Sequence, residues 1–233
     1  MTTCYFRAGY SPADYANDDA WLARLHIERS AAIKCPSILT HLAGSKKIQQ
    51  ILATPSSPHL DRFLARAKTI TDPDSMALRI RATFAAIYPL DASSTGKHAI
   101  SLATSPTESA GYVLKPQREG GGNNIYGTKI PAFLKGLGDD ELKWKGHILM
   151  ELIKPPSLRN FIFRNGEVTS GDVIGELGVY GACLWRKGRD GDVLQVVENF
   201  GAGHLLRTKG RESEEGGVAA GFGSVDSVCL IDV

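Results

Sequence analysis

The placement of glycine divides the chain. Of its 25 glycines, only Gly9, Gly44 and Gly96 precede residue 110, and the other 22 follow it. Glycine weakens helix interiors and permits turns and close backbone approaches that a Cβ forbids. The first part is therefore free to be helical, and the second must be rich in turns and strands. Apolar spacing agrees. A helix capped by Asp18 or Asp19 carries Trp21, Leu22, Leu25 and Ile27 toward Ala32. Lys46 to Leu52 forms another, Leu60 to Leu64 a short one, and Asp74 caps a further one with Met76, Leu78, Ile80 and Phe84 largely inside. Asp91 to Ser109 is Ser/Thr-rich and reads as a loop containing a short helical piece.

Beyond residue 110, strands are expected at Tyr112–Lys115, His147–Leu152 and Phe161–Arg164. Asn165-Gly166 is a strong hairpin signal. Asp172–Trp185 is long and β-branched in places, Arg189–Asp192 turns it back into Val193–Val197, and His204–Lys209 is short and extended. Helices mixed with a glycine-rich antiparallel sheet imply an α/β fold of α+β character.

At 233 residues and 25.1 kDa the chain makes one large domain or two small ones. It is 42% hydrophobic and 22% charged, within the globular range, and its net charge of +2 leaves no basic footprint for nucleic acid. No run of 18 apolar residues is present, so no membrane partner is expected. Met1 to Arg7 lacks the apolar core of a secretory leader. Cys4, Cys35, Cys183 and Cys229 are far apart in sequence, which argues against CxxC chemistry and the usual zinc spacings and points to reduced thiols in a cytoplasmic protein.

One segment concentrates chemistry: Lys115-Pro116-Gln117-Arg118-Glu119-Gly120-Gly121-Gly122-Asn123-Asn124-Ile125-Tyr126. Three adjacent glycines let backbone N–H groups converge on an anion. Lys115 pairs with phosphate as a point charge. Glu119 is a hard oxygen ligand suited to Mg²⁺, and Asn123 and Asn124 add amide groups. The segment is neither a Walker A loop nor a dinucleotide fingerprint. A second candidate runs from Arg207 and Lys209 to Glu215-Gly216-Gly217-Val218-Ala219-Ala220-Gly221. Arg207 offers a fork for a carboxylate there. His147 to Ile153 reads either as an ordinary buried strand or as one that borders an adenine ring. Glu176 either bonds a ribose hydroxyl or faces water.

The ordered blocks KPQREGGGNNIYG, HILMELI, GELGVYG, GHLLRTK and EGGVAAG, with YFRAGY and ERSAAIKCPSILTHLAGSKKIQQ before them, closely resemble eukaryotic glutathione synthetases. The resemblance extends from Tyr5 to about Asp226. It implies an ATP-grasp fold with a glycine-rich antiparallel lid at about 115–165. Residues 1–44 would end a substrate-binding unit, and 45–233 would be the ATP-binding domain. The implied reaction is ATP- and Mg²⁺-dependent ligation of γ-glutamylcysteine and glycine through an acyl phosphate, the second step of glutathione biosynthesis, by a homodimer.

The resemblance also assigns residues. Lys46, Lys115 and Lys209 contact the nucleotide. Pro116, Gln117, Arg118, Glu119, Gly120, Gly121, Gly122, Asn123 and Asn124 complete the lid, with Glu119 as metal ligand. Tyr126, Glu176 and Glu215 belong to the nucleotide site, and Met150, Glu151, Leu152 and Ile153 to the adenine-binding stretch. Arg7, Ala8, Gly9, Tyr10, Arg207, Val218 and Ala219 bind substrate, and Arg207 and Lys115 act in catalysis. Ala8 and Glu215 depart from residues common in the family. Members carry a long region ahead of the YFR strand, holding further substrate contacts and metal ligands. The alternative expectation is therefore a truncated, catalytically silent nucleotide-binding fragment or pseudoenzyme.

Overall fold

The computed structural model describes residues 2–55, 57–67, 69–117, 122–138, 140–188, 194–213, 218 and 223–228. The chain separates into two compact units, Met1–Ile153 and Lys154–Val233.

The first unit begins with β1 (Thr3–Tyr5), α1 (Asp18–Arg29) and β2 (Ile33–Cys35). The strands pair in parallel, Thr3 opposite Ile33 and Tyr5 opposite Cys35. The cap of α1 is Asn17, whose side chain accepts from the Ala20 N–H at 3.0 Å, rather than either aspartate after it. Four short helices follow: α2 (Ile38–Ala43), α3 (Lys46–Ala53), α4 (His59–Arg66) and α5 (Pro73–Arg81). Asp72 caps α5 through the Ser75 N–H, two residues ahead of the expected Asp74. Ala77 of α5 packs with Leu60 and Leu64 of α4, whereas Leu78 is 70% exposed. The Arg81 guanidinium donates to both oxygens of Asp61 at 2.8 Å and holds its carboxyl below the usual range.

The centre of this unit is a sheet of β3 (Ile87–Pro89), β4 (Tyr112–Pro116), β5 (Ile125–Tyr126) and β6 (His147–Glu151), in the antiparallel order β3-β6-β4-β5. Packed on it are α6 (Ser94–Thr104) and α7 (Ile130–Leu137), and α8 (Glu141–Lys145) precedes β6. Leu90, Ala99, Leu102, Ala103, Leu114, Ile130, Leu134 and Leu149 form the core. Burying a side chain such as Leu149 stabilises the fold by about 1.5–3 kcal/mol.

Helix α6 is longer than the short helical piece expected within a loop there. Its Ser/Thr content is a poor helix signal, but Ala99, Leu102 and Ala103 fall on one face, and burial overrides propensity. Helix α7 and β3 were also unexpected. Ile130, Phe133, Leu134 and Leu137 have helical spacing, and three glycines nearby obscure it.

The second unit is a four-stranded antiparallel sheet. Its strands β7 (Leu158–Arg164), β8 (Glu167–Lys187), β9 (Leu194–Gly210) and β10 (Ser224–Asp226) lie in the order β10-β9-β8-β7. The hairpin at Asn165-Gly166 forms as expected, with φ of 52° and 84°, the doubly positive pair of a type I′ turn. The expected turn at Arg189–Asp192 lies outside the described residues. Residues 204–209 are not a separate short element but the far end of β9, paired with β8 throughout. Val173 and Thr208 are buried, and Thr208 Oγ1 donates to Asp226 Oδ2 at 2.7 Å, which ties β9 to β10.

A Cβ on Gly96 would overlap the carbonyl oxygen and carboxylate of Asp91, which approach where α6 begins. Gly96→Ala is therefore expected to destabilise by about 1–3 kcal/mol, despite alanine's better helix propensity, as read by urea unfolding. On β4, burial pushes the Tyr112 phenol above its ordinary 10.0, with Tyr88, Glu151 and Glu108 adding to the shift. The folded state keeps this proton longer than the unfolded chain. The contribution is intact below the ordinary value and is lost as pH rises above it through the raised folded value. Between about pH 9 and about pH 11 the parent chain should lose more stability than Tyr112→Phe.

Candidate functional site

Strand register sorts the expected residues. Leu114 of β4 lies opposite Leu149 of β6 and Ile125 of β5, and these face the α6–α7 core. Alternation sends their neighbours to the other face. There, Ile87, Met150, Val113 and Tyr126 form one row across all four strands, and Pro89, Ile148 and Lys115 form the next. Lys115, Tyr126 and Met150 are thus brought to one face of one sheet. Asn124 Nδ2 donates to the Tyr126 hydroxyl at 3.3 Å. At the end of β6 the Glu151 N–H donates to Ala86 O and the Leu152 N–H to Gly111 O, both at 2.9 Å, and Ile153 is exposed.

Helix α3 lies beside β3 and β6. Gln117, just past β4, accepts the Lys47 N–H through Oε1 at 2.9 Å and so satisfies a donor in the first turn of α3. Its Nε2 is buried with no hydrogen-bond partner among the described residues. Gln117 and Lys46 line a cavity of about 160 Å³ together with Gly9, Tyr10, Tyr15 and His41. Arg7 and Ala8 are exposed on the preceding bend. The structure therefore joins the N-terminal bend to Lys46 and Gln117, residues far apart in sequence.

A buried arginine fixes that bend. Arg24 of α1 is 5% exposed. It donates to Glu28 Oε1 from Nε at 3.0 Å and from Nη2 at 2.8 Å, donates to the Tyr15 hydroxyl at 3.2 Å, and lies 3.8 Å over the Phe6 ring. Tyr15 in turn donates to Gly9 O at 3.3 Å. Gly9 has a φ of 90°, and a Cβ there would stand 3.0 Å from the Tyr15 hydroxyl, so the bend requires glycine. The sequence reading missed this chain from Glu28 to Gly9. Its only signal is a charged pair, Arg24 and Glu28, one helical turn apart among apolar residues.

In the second unit, Glu176 of β8 sits directly opposite Arg207 of β9, and Lys209 is two residues along on the same face. Glu176 Oε2 lies 3.0 Å from Arg207 Nη2 and its Oε1 3.3 Å from Lys209 Nζ. One carboxylate thus spaces two cations, with Lys209 mostly buried. Val218 is half-buried in a turn. Arg118, Glu119, Gly120, Gly121, Glu215 and Ala219 lie outside the described residues. Among the described residues, no group of three His, Cys, Asp or Glu is placed to hold a metal ion, and no helix is long and apolar enough to cross a membrane.

A sequence profile described as eukaryotic glutathione synthase, ATP binding domain, matches residues 10–230. The chain is 44% identical over 230 residues to the glutathione synthetase large chain of Schizosaccharomyces pombe, covering 99% of this chain and 43% of that one. It is 45% identical over 233 residues to the chloroplastic glutathione synthetase of Arabidopsis thaliana, covering 99% and 39%. It is 44% identical over 228 residues to the glutathione synthetase of Bos taurus, covering 97% and 44%. A solved glutathione synthetase-like effector from Globodera pallida, in its apo form, superposes with a TM-score of 0.55 at 20% identity, covering 88% of this chain and 38% of that one. The fold is α/β of the ATP-grasp type, and the chain belongs to the eukaryotic glutathione synthase family through its ATP-binding domain. It spans less than half the length of these relatives.

Arg24→Met removes one partner of a buried ion pair and leaves Glu28, among the described residues, with the Ile38 N–H, which it accepts at 2.9 Å. A loss of about 3 kcal/mol is expected from chemical denaturation.

Proposed function

We propose that this chain binds ATP and serves glutathione synthesis, in which ATP phosphorylates the cysteinyl carboxylate of γ-glutamylcysteine. The amine of glycine then attacks the acyl carbon, and phosphate leaves with ADP formed. The observation that carries this reading is the sheet face shared by Lys115, Tyr126 and Met150, in a chain of the ATP-binding family. The row of Ile87, Met150, Val113 and Tyr126 suits the flat face of a purine. With the Glu151 and Leu152 N–H groups already spent within the unit, base-edge hydrogen bonds fall to the strand's remaining polar groups and to Ile153. Lys115, at the phosphate end of the same face, supplies positive charge.

Gly9, Tyr10 and Arg7 are assigned to the peptide substrate, with Lys46 and Gln117 bordering the same cavity. The buried amide of Gln117 suits a carbonyl or carboxylate acceptor. Arg207 and Lys209 are assigned to anionic groups of substrate and nucleotide, held at register by Glu176. Val218 and Ala219 complete the substrate loop, and Glu215 belongs to the nucleotide site. Mg²⁺ is part of the proposal through Glu119, whose carboxylate would share the ion with ATP phosphates and so offset their charge. The described residues supply no ligand cluster to test its fit, and no step is routed through it. Division at residue 44, with a lid at about 115–165, remains the proposed domain plan. A cytoplasmic site and a homodimer belong to the same reading.

The test is Mg²⁺-ATP binding by calorimetry, followed by phosphate release with γ-glutamylcysteine and glycine. Lys115→Ala should weaken ATP binding about tenfold or more, the worth of one charge-assisted hydrogen bond. Arg207→Ala should leave ATP affinity within about twofold while lowering affinity for the dipeptide. Unchanged ATP affinity in the lysine variant would remove the sheet face from the site. Binding without glycine-dependent phosphate release would make the chain a nucleotide-binding module rather than a ligase.

A further inference from the structure

The face of the β8–β9 ribbon that carries Glu176 continues along the strands past its cations. Glu176 pairs with Arg207, Gly178 with Leu205, and Tyr180 with Gly203. Alternation keeps these pairs on one face. In order along it stand a carboxylate with an arginine, a bare glycine beside a leucine, and a tyrosine. Lys209 lies on the other side of Arg207.

Tyr180 does not stand away from the sheet. A Cβ on Gly178 would meet the Tyr180 hydroxyl at 3.1 Å and the ring carbons Cε2 and Cζ at 3.3 Å. The tip of the ring, not its root, therefore lies over Gly178, and the side chain runs back along β8 toward Glu176 and Arg207. Opposite Tyr180 the ladder shifts register. Tyr180 pairs with Gly203 and Gly181 with Gly201, which leaves Ala202 as an extra residue on β9. Gly203 has a φ of 122°, a conformation that suits glycine. Bulges of this kind re-aim side chains and are frequent beside active sites. Two glycines thus accommodate one tyrosine. An aromatic ring laid over a strand glycine can simply cover backbone. Here the ring is 51% exposed, which is poor cover, and it lies next to a partly open arginine.

We propose that Tyr180 is a further binding residue for the peptide substrate. Its ring walls the Arg207 subsite on the side away from Lys209 and packs against the aliphatic carbons beside the carboxylate that Arg207 holds. The proposal rests on the assignment of Arg207 to γ-glutamylcysteine. Order along the strands sets the ligand: Lys209, assigned to the nucleotide, is on the far side of Arg207, so the ring meets the dipeptide and not the phosphates. A ring beside a guanidinium excludes water from its flank and strengthens its pairing with a carboxylate.

The experiment titrates γ-glutamylcysteine and, separately, Mg²⁺-ATP into the full 233-residue chain and its variants by calorimetry. Tyr180→Ala should weaken dipeptide binding about five- to tenfold and leave ATP binding within about twofold. Tyr180→Phe, which keeps the ring, should bind the dipeptide within about twofold of the parent. Gly178→Val fills the place of the ring with Tyr180 retained, and should reproduce the loss. The Tyr180 ring resonances, assigned by their disappearance in Tyr180→Phe, should shift with the dipeptide and not with ATP alone. That reading on the unaltered chain decides the matter if Tyr180→Ala or Gly178→Val does not fold. Equal dipeptide affinity in the parent and Tyr180→Ala, or ring resonances that stay in place, would overturn the proposal. So would a parallel loss of ATP affinity, the mark of a ring that only supports the strand pair. A parent chain that binds no dipeptide would remove the Arg207 assignment and this proposal with it. Dipeptide binding lost in Arg207→Ala but kept in Tyr180→Ala would remove this proposal alone.

Discussion

The pairing of β4 with β6 is the constraint on which the first unit depends. Leu114 opposite Leu149 places two fully buried side chains against α6 and α7. The same register turns Lys115 and Met150 to the opposite face. A slip of β4 by one residue would turn Lys115 toward the two helices and take Leu114 out of the core. Hydrophobic burial thus selects the face on which the Lys115 charge stands, and the core and the candidate site are two consequences of one alignment.

Two ion-pair systems show how environment sets role. Arg24 is enclosed, and each nitrogen of its guanidinium donates to Glu28 or Tyr15 while its plane lies over Phe6. Such a pair gains less than it costs to break, and its consequence is geometric: it holds Tyr15 against Gly9 and so shapes the bend that borders Lys46. The Glu176 carboxylate is partly open to water, as is Arg207. Pairing there contributes little stability, and its effect is to hold two cations at a defined spacing on a rigid strand pair. The first arrangement organises backbone, and the second presents charge.

The two units differ in what completes them. The first encloses a core between its four-stranded sheet and two helices. The second is a sheet whose long ribbon exposes apolar side chains on both sides, with Val173 and Thr208 buried near its base. Val179, Tyr180 and Phe200 stand exposed on it, and the Tyr180 face also carries Glu176, Arg207 and Lys209. This contrast makes the exposed surfaces as informative as the buried ones.

Much of this was determined by sequence alone. The Asn165-Gly166 turn needs two positive φ values, which those residues supply most readily, so the hairpin was legible locally. The β4 and β6 strands were legible from short apolar runs, and the ordered blocks around Lys115, Glu176 and Arg207 already carried the family. Other features were decided only in three dimensions. Helix α6 forms from poor helix formers because Ala99, Leu102 and Ala103 meet a sheet. Gly96 is fixed by contact with Asp91, and Gln117, nominated for a phosphate lid, also satisfies the start of α3. Joining Glu176 to Arg207 and Lys209, and Gly9 to Lys46, needed strand register and packing between distant segments. Local propensity specifies turns and periodic faces, whereas contacts between distant residues exist only once burial has brought their elements together.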